Sequence, residues 1–199
     1  MVTLTKQHMK IMEIPEGFYR SKLALVPETV KPQIERFVNY QDQILKKGYG
    51  IILSGESGVG KSSIGSCILK HYRANEHPGL FVSAADLHEY EKKQVVYEGN
   101  ISYLERARSV TILVLDDLSA EDTKDQWYFT SKKLADLLSF RKYNLRPTII
   151  TTRLTKDRFM NLFSQAWQIA QGYLVWIEVT GQDQRQKEQE AAEKLILGK

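Results

Sequence analysis

Gly55-Glu56-Ser57-Gly58-Val59-Gly60-Lys61-Ser62 decides how this chain is read. The stretch fits G-x-x-x-x-G-K-[ST], the pattern of a phosphate-binding loop. The apolar run Ile51-Ile52-Leu53 leads into it, and a helix-compatible stretch, Gly60–Ala74, follows at once. Glycines let the backbone curl so that its N–H groups converge on an anion. The helix behind the loop adds free N–H groups and the positive end of its dipole. In this arrangement Gly55, Glu56, Ser57, Gly58, Val59, Gly60, Lys61, Ser62 and Ser63 surround the phosphates of a nucleotide. Lys61 is expected to reach the β- and γ-phosphates, and Ser62 to hold Mg2+. Cys67, farther along the same helix, reads as a packing residue.

A second apolar run, Val110–Leu115, ends in Asp116-Asp117. Carboxylates at the carboxyl edge of a parallel sheet stand where ligands bind. Asp116 is therefore assigned to Mg2+ through its water shell, and Asp117 to orienting or deprotonating an attacking water. A third run, Thr148-Ile149-Ile150-Thr151-Thr152, ends in hydroxyls. If this strand lies between the other two, Thr151 or Thr152 could touch the γ-phosphate or the water. Arg153 and Arg158 follow, placed to meet a phosphate in this subunit or a neighbour, or to belong to a solvated face.

Outward from these runs the chain alternates short apolar segments with longer amphipathic ones, as in a parallel α/β sheet. The spacing predicts strands at Tyr49–Ser54, Leu80–Ser83, Val110–Leu115, Thr148–Thr152 and Tyr173–Val179. It predicts helices over Gly60–Ala74, Ala84–Tyr97, Trp127–Tyr143, Lys156–Ala170 and Asp183–Leu197. Leu134, Leu137, Leu138 and Arg141 follow helical spacing, with Arg141 closing a half-buried helix. Residues 1–48 read as a lead-in and a packing helix around Ile34, Phe37, Val38, Ile44 and Leu45. Residues 49–199 read as the core with one solvated C-terminal helix.

Composition narrows the class further. The 199 residues carry 28 Lys and Arg against 24 Asp and Glu, with 42% hydrophobic and 26% charged, near the globular average. The net charge of +4 permits a nucleic-acid partner without requiring one. The single cysteine excludes an internal disulfide and suits a reducing, cytoplasmic setting. No apolar run approaches the roughly 20 residues that a membrane-spanning helix needs, so no membrane role is expected.

Phosphate loop, Asp-Asp strand and Arg146-Pro147-Thr148-Ile149-Ile150-Thr151-Thr152, in this order, resemble the AAA+ ATPases of the DnaC/DnaI helicase-loader and IstB transposition-helper group. Ile14-Pro15-Glu16-Gly17-Phe18-Tyr19-Arg20 resembles the short lead-in of that group. Gly181-Gln182-Asp183-Gln184-Arg185 resembles its late G-x-S-x-R motif, which places an arginine near the nucleotide. The resemblance covers about Ile14 to Arg185. It implies an AAA+ P-loop fold with a five-stranded parallel sheet between helices, and ATP with Mg2+ as cofactors. It also implies slow hydrolysis and nucleotide-dependent self-assembly. Contact with a replicative helicase, another replication or transposition protein, or single-stranded DNA is implied as well. By position Lys61, Ser62, Asp116 and Asp117 keep the roles given above, Thr152 is the sensor-like polar group and Arg185 the late arginine.

The chain departs from that pattern at four places. Asp117 stands where the group has Glu, Arg153 falls where it has a sensor Asn, and Phe163–Gln171 lacks its intersubunit arginine. About 48 residues before the first strand leave no room for a separate helicase-binding domain. About 20 residues after the last strand cannot build a full helical lid. The expected form is thus compact and lidless, like that of a phage or mobile-element protein. Two functions follow: an ATP-hydrolysing helicase loader, or a nucleotide-switched adaptor with little hydrolysis. A small-molecule kinase fits less well, because the acidic stretch Ser119–Trp127 does not resemble an arginine-rich lid. For DNA, the candidate contacts are Arg106, Arg108, Lys132, Lys133, Lys156 and Arg158, with Tyr103, Trp127 and Tyr128 as stacking aromatics.

Overall fold

Ile112–Leu118, the strand that carries the acid pair, is an inner strand of the sheet with its first four residues buried. Around it the structure, a computed structural model, describes residues 2–97, 100–119 and 124–198, without the side chains of residues 124–130 and 186–188. In chain order the elements begin with helices α1 (Lys6–Ile11), α2 (Lys31–Asn39) and α3 (Gln41–Lys47). Strand β1 (Gly50–Ser54), helix α4 (Lys61–Ala74), strand β2 (Gly79–Ser83) and helix α5 (Ala84–Lys92) follow. Next come the short strands β3 (Val96–Tyr97) and β4 (Ile101–Ser102), helix α6 (Tyr103–Ser109), strand β5 (Ile112–Leu118) and helix α7 (Lys124–Tyr143). Strand β6 (Thr148–Thr152), helices α8 (Lys156–Leu162) and α9 (Ser164–Ala170), strand β7 (Leu174–Glu178) and helix α10 (Gln184–Leu197) complete the described chain.

The main sheet is parallel, five-stranded, and ordered β2-β5-β6-β1-β7. Thus β6 lies between the strand that enters the phosphate loop and the strand that carries the acids. Helices cover both faces, which explains the unbroken apolar runs of β1, β5 and β6. On one face Ile51, Leu53, Val114 and Ile149 pack with α4 and the lead-in residues Met12, Ile14, Val26, Val30 and Ile34. On the other, Ile52, Leu115 and Ile150 pack with Leu134, Leu137 and Leu138 of α7 and Phe159 and Phe163. After β7 the described chain continues into α10, whose apolar Leu195, Ile196 and Leu197 are exposed.

Strand β5 runs to Leu118 where the sequence predicts an end at Leu115, α7 starts at Lys124 and not Trp127, and three expected helices end or break elsewhere. The helix expected over Ala84–Tyr97 stops at Lys92, and Gln94 turns the chain at φ 52° into the β3–β4 hairpin. Val95, Val96 and Tyr97 favour strand, and Ser102 with Glu105 forms a capping box that starts α6, a helix the periodicity did not disclose. Lys156–Ala170 is two helices, because Phe163 (φ −120°, ψ 45°) leaves helical dihedrals where its ring is buried beside Phe159. The helix at Ile34–Leu45 is likewise broken, at Tyr40.

Arg141, on the helical stripe of Leu134, Leu137 and Leu138, is fully buried in the last turn of α7. Its guanidinium donates to the carbonyls of Ala107, Arg108, Val110, Thr111 and Pro147 and to Thr148 Oγ1, at 2.6 to 3.3 Å. It thereby ties the end of α6 to the first residues of β5 and β6. Burial lowers its pKa, but the full set of bonds satisfies the charge.

Candidate functional site

The phosphate loop leaves β1 at Ser54 and enters α4 at Lys61, with Gly58 and Gly60 at φ 85° and 95°. Those left-handed turns need glycine. Val59, buried in the core, anchors the loop from below. Lys61 is 7% exposed, and its Nζ donates to the carbonyls of Gly55 (2.8 Å) and Glu56 (2.7 Å). Burial lowers its pKa against the pull of Asp117 and Asp116.

Opposite the loop, β5 carries a bulge. Leu115 pairs with Ile150 and Leu118 with Thr152, so Asp116 and Asp117 face the single residue Thr151. Asp117 takes the extra turn at φ 49°, a conformation that Asp tolerates better than most residues. The bulge aims the two acids differently. Asp116 accepts a 2.6 Å hydrogen bond from Thr151 Oγ1, while the Asp117 N–H donates to the same hydroxyl at 2.8 Å. Ser62 also hydrogen-bonds Asp116. Burial raises the Asp116 pKa, and the bonds from Thr151 and Ser62 pull it back. Arg153, just beyond β6, pairs with Asp117.

These groups share one cleft of about 550 Å³ with Ser57, Gly58, Gly60, Ser63 and, from the start of α10, Gln184 and Arg185. Its remaining wall is the lead-in, Gly17, Phe18, Arg20, Ser21 and Leu25. Lys70 of α4 holds that wall by donating to the carbonyls of Phe18 (2.9 Å), Tyr19 (3.3 Å) and Ser21 (2.5 Å). The sequence marked the lead-in as a motif but not as a wall of the site. Cys67 is buried, and burial pushes its thiol up, away from reactivity.

The structure brings Lys61, Ser62, Asp116, Asp117 and Arg185 together, but not the hydroxyl of Thr152. Thr152 is fully buried; its Oγ1 donates to the Leu118 carbonyl (2.6 Å) and accepts from the Leu154 N–H (3.1 Å). The alternation of side chains along β6 gives the cleft to Thr151 instead. Arg185 has its guanidinium on Asp183, at 2.6 to 3.1 Å.

The candidate DNA contacts scatter. Arg106 is buried, bonded to Glu13 and to the Ile11 carbonyl, and stacked 3.8 Å over Tyr97. Tyr103 packs against Tyr90 at 4.3 Å. Arg108 lies over Phe140, Lys133 pairs with Glu91, and Lys156 lies over Trp167. Lys132 and Arg158 are exposed. The side chains of Trp127 and Tyr128, and much of the acidic stretch Ser119–Trp127, lie outside the described residues.

No family model and no curated protein matches the chain. Solved structures do. A crystal structure of the DnaC helicase loader superposes with a TM-score of 0.68 at 20% identity, over 83% of this chain and 100% of that one. A DnaI crystal structure gives 0.67 at 21%, over 90% and 100%. The replication initiator DnaA bound to AMPPCP and single-stranded DNA gives 0.59 at 18%, over 88% and 55%. These likenesses show that the chain shares the fold of those proteins. Among the described residues no helix is long and apolar enough to cross a membrane.

Proposed function

We propose that the protein binds ATP with Mg2+ in this cleft, hydrolyses it slowly, and serves DNA replication as a helicase loader or a close relative. One observation carries the reading: the loop lysine, the acid pair and the Thr151 hydroxyl, from three adjacent strands, meet at the carboxyl edge of the sheet. That edge is where open α/β sheets bind ligands. The donors fit Mg2+, a hard cation that prefers oxygen, because the Asp116 carboxylate and Ser62 hydroxyl already adjoin. Those two residues would hold the ion, which when bound supplies neutralisation of phosphate charge. Asp117 would orient or deprotonate the attacking water, with Thr151 fixing its backbone. Asp117 is one methylene shorter than Glu, and Arg153 competes for its oxygens, which supports slow turnover.

The likeness to a helicase loader, and to an initiator bound to AMPPCP and single-stranded DNA, supports a replicative helicase or another replication protein, with single-stranded DNA, as the partner class. Assembly of several copies around nucleotide, in the cytoplasm, belongs to the same proposal. The test is phosphate release from ATP with and without single-stranded DNA, in wild type and Lys61→Ala. Binding and turnover by the wild type that Lys61→Ala abolishes are expected. A wild type that binds no nucleotide would overturn the proposal. The Arg153–Asp117 pair also favours a second reading, an adaptor that changes partner affinity with nucleotide state and barely hydrolyses ATP. Tight ATP binding without turnover, even with DNA and helicase present, would select it.

A further inference from the structure

The two edges of the main sheet are finished differently. At the β2 edge the lead-in covers the strand: the Phe81 N–H donates to the Met12 carbonyl at 2.8 Å, and Met12 is buried. The opposite edge is β7, which pairs with β1 alone. Natural sheets blunt an open edge with lysine, proline or a bulge. Leu174-Val175-Trp176-Ile177-Glu178 has neither lysine nor proline, and its register against β1 runs without a break. Its Val175 is 59% exposed.

The backbone of β7 divides between its two sides. Along a strand the N–H and C=O of one residue point the same way, and those of the next point the opposite way. The Gly50 N–H donates to the Tyr173 carbonyl at 3.0 Å, and the Val179 N–H to the Ser54 carbonyl at 2.6 Å. Tyr173, Val175, Ile177 and Val179 therefore serve β1, and Leu174, Trp176 and Glu178 turn their backbone groups to the open edge. Those groups call for an extended strand and not a helix, whose backbone groups are already paired within it.

A second β7 meets that demand. Laid antiparallel about a twofold axis through Trp176, two copies set Trp176 against Trp176, Leu174 against Glu178 and Val175 against Ile177. Every edge-facing residue then falls in a hydrogen-bonded pair and exchanges both bonds. Glu178 meets leucine and not a second carboxylate, so no like charges stand opposite. On one face the exposed Val175 gains an apolar neighbour. On the other, Trp176 already packs edge-on with Phe159 (5.5 Å) and Trp167 (6.2 Å), and it gains a second indole. A groove of about 600 Å³ between β7 and helices α2 and α3 leaves room beside the seam for the incoming side chains.

We propose that β7 is a dimer interface, along which two copies of this chain pair antiparallel into one continuous sheet. A second copy is the occupant because the strand is complementary to itself in that register, as a twofold interface demands. The seam uses no residue that lines the phosphate cleft, so the dimer needs no nucleotide and is separate from the assembly around nucleotide proposed above.

The test is light scattering after size exclusion on nucleotide-free protein, from micromolar to submillimolar concentration. Wild type should reach twice the mass of one chain. Val175→Lys sets a cation on both sides of the seam and should raise the dissociation constant by at least about tenfold, as for a central interface residue. Glu178→Pro removes an edge donor, leaves the bonds to β1 in place, and should raise it by at least about threefold. Leu195→Lys, on the exposed end of α10, should leave the dimer unchanged. Amide exchange read by NMR supplies a signature that only this pairing gives. The Leu174, Trp176 and Glu178 amides should slow as wild type is concentrated and stay fast in Val175→Lys. Ile177 should stay slow in every variant, which also shows that the variants keep the sheet. A wild type that is monomeric throughout would overturn the inference and give the edge to an extended segment of another protein. So would a dimer that Leu195→Lys dissolves, one that forms only with ATP, or edge amides indifferent to concentration.

Discussion

Arg153 Nε lies 3.3 Å from Asp117 Oδ1, so the residue after β6 holds the acid that would face an attacking water. Both side chains are about half exposed, so the pair contributes little to stability. It still draws charge away from the carboxylate. Replacing Arg153 by Asn restores an acceptor that can share a water and releases Asp117. Turnover by Arg153→Asn, read as phosphate release at saturating ATP, is expected to rise about twofold to fivefold, the range of an exposed ion pair. A fall in turnover would mean that Arg153 serves the phosphates and not Asp117.

Asp116 trades stability for its site. Burial raises its pKa above 3.8 in the folded protein, against bonds from Thr151 and Ser62. The folded carboxyl therefore keeps its proton to a higher pH than the unfolded one, so this group's stabilising effect fades as pH rises through that interval. Asp116→Asn removes the charge. At pH 7 it should melt higher than wild type by about 2–4 °C, corresponding to roughly 1 kcal/mol for a chain of this size. The gain should shrink toward pH 4, while any Mg2+ dependence of nucleotide binding is lost. Thermal melts at the two pH values check the sign.

The motifs in the sequence foretold the strand order less directly than they foretold the strands. Apolar runs located β1, β2, β5 and β6 because strands covered on both faces must be apolar throughout, whereas the edge strand β7 leaves Val175 exposed. The loop at Gly55–Ser62 was legible because its residue types are dictated by backbone geometry. The bulge at Asp117 was not, since it depends on how β5 registers against β6, and that register decides between Thr151 and Thr152. Charge misled in a different way. Arg106 read as a candidate DNA contact and Arg141 as the end of a half-buried helix, yet each is buried among partners drawn from distant parts of the chain, which no local pattern records.

Arg141 lends itself to a stability test. Its bonds reach five carbonyls from two stretches of the chain, 107–111 and Pro147. Arg141→Met keeps much of the volume but removes all five of these bonds, leaving the Pro147 carbonyl with the Leu113 N–H. A loss of about 3–5 kcal/mol is expected, as for breaking a buried charged network. Arg141→Lys, with three donors on a single nitrogen, should recover only part of it. Urea unfolding checks both variants; a loss below about 1 kcal/mol for Arg141→Met would show that water or relaxed backbone satisfies the carbonyls.

Lys70 offers a way to separate the wall of the cleft from its chemistry. Its ammonium faces the lead-in, where it donates to the carbonyls of Phe18, Tyr19 and Ser21, and it is absent from the residues that line the cleft. Lys70→Met keeps the aliphatic stem in place but removes all three bonds. Backbone hydrogen exchange at residues 17–21 should then quicken, since local opening no longer breaks those bonds. Mant-ATP affinity should fall by roughly threefold to tenfold, the effect of about one net hydrogen bond. Turnover at saturating ATP should stay within about twofold, because Lys61, Asp116 and Asp117 keep their partners. Faster exchange with unchanged affinity would show that the lead-in stands beside the nucleotide without holding it. A loss of turnover at saturation would show that the lead-in also shapes the acid pair, which Thr151 holds at the Asp117 N–H and the Asp116 carboxylate.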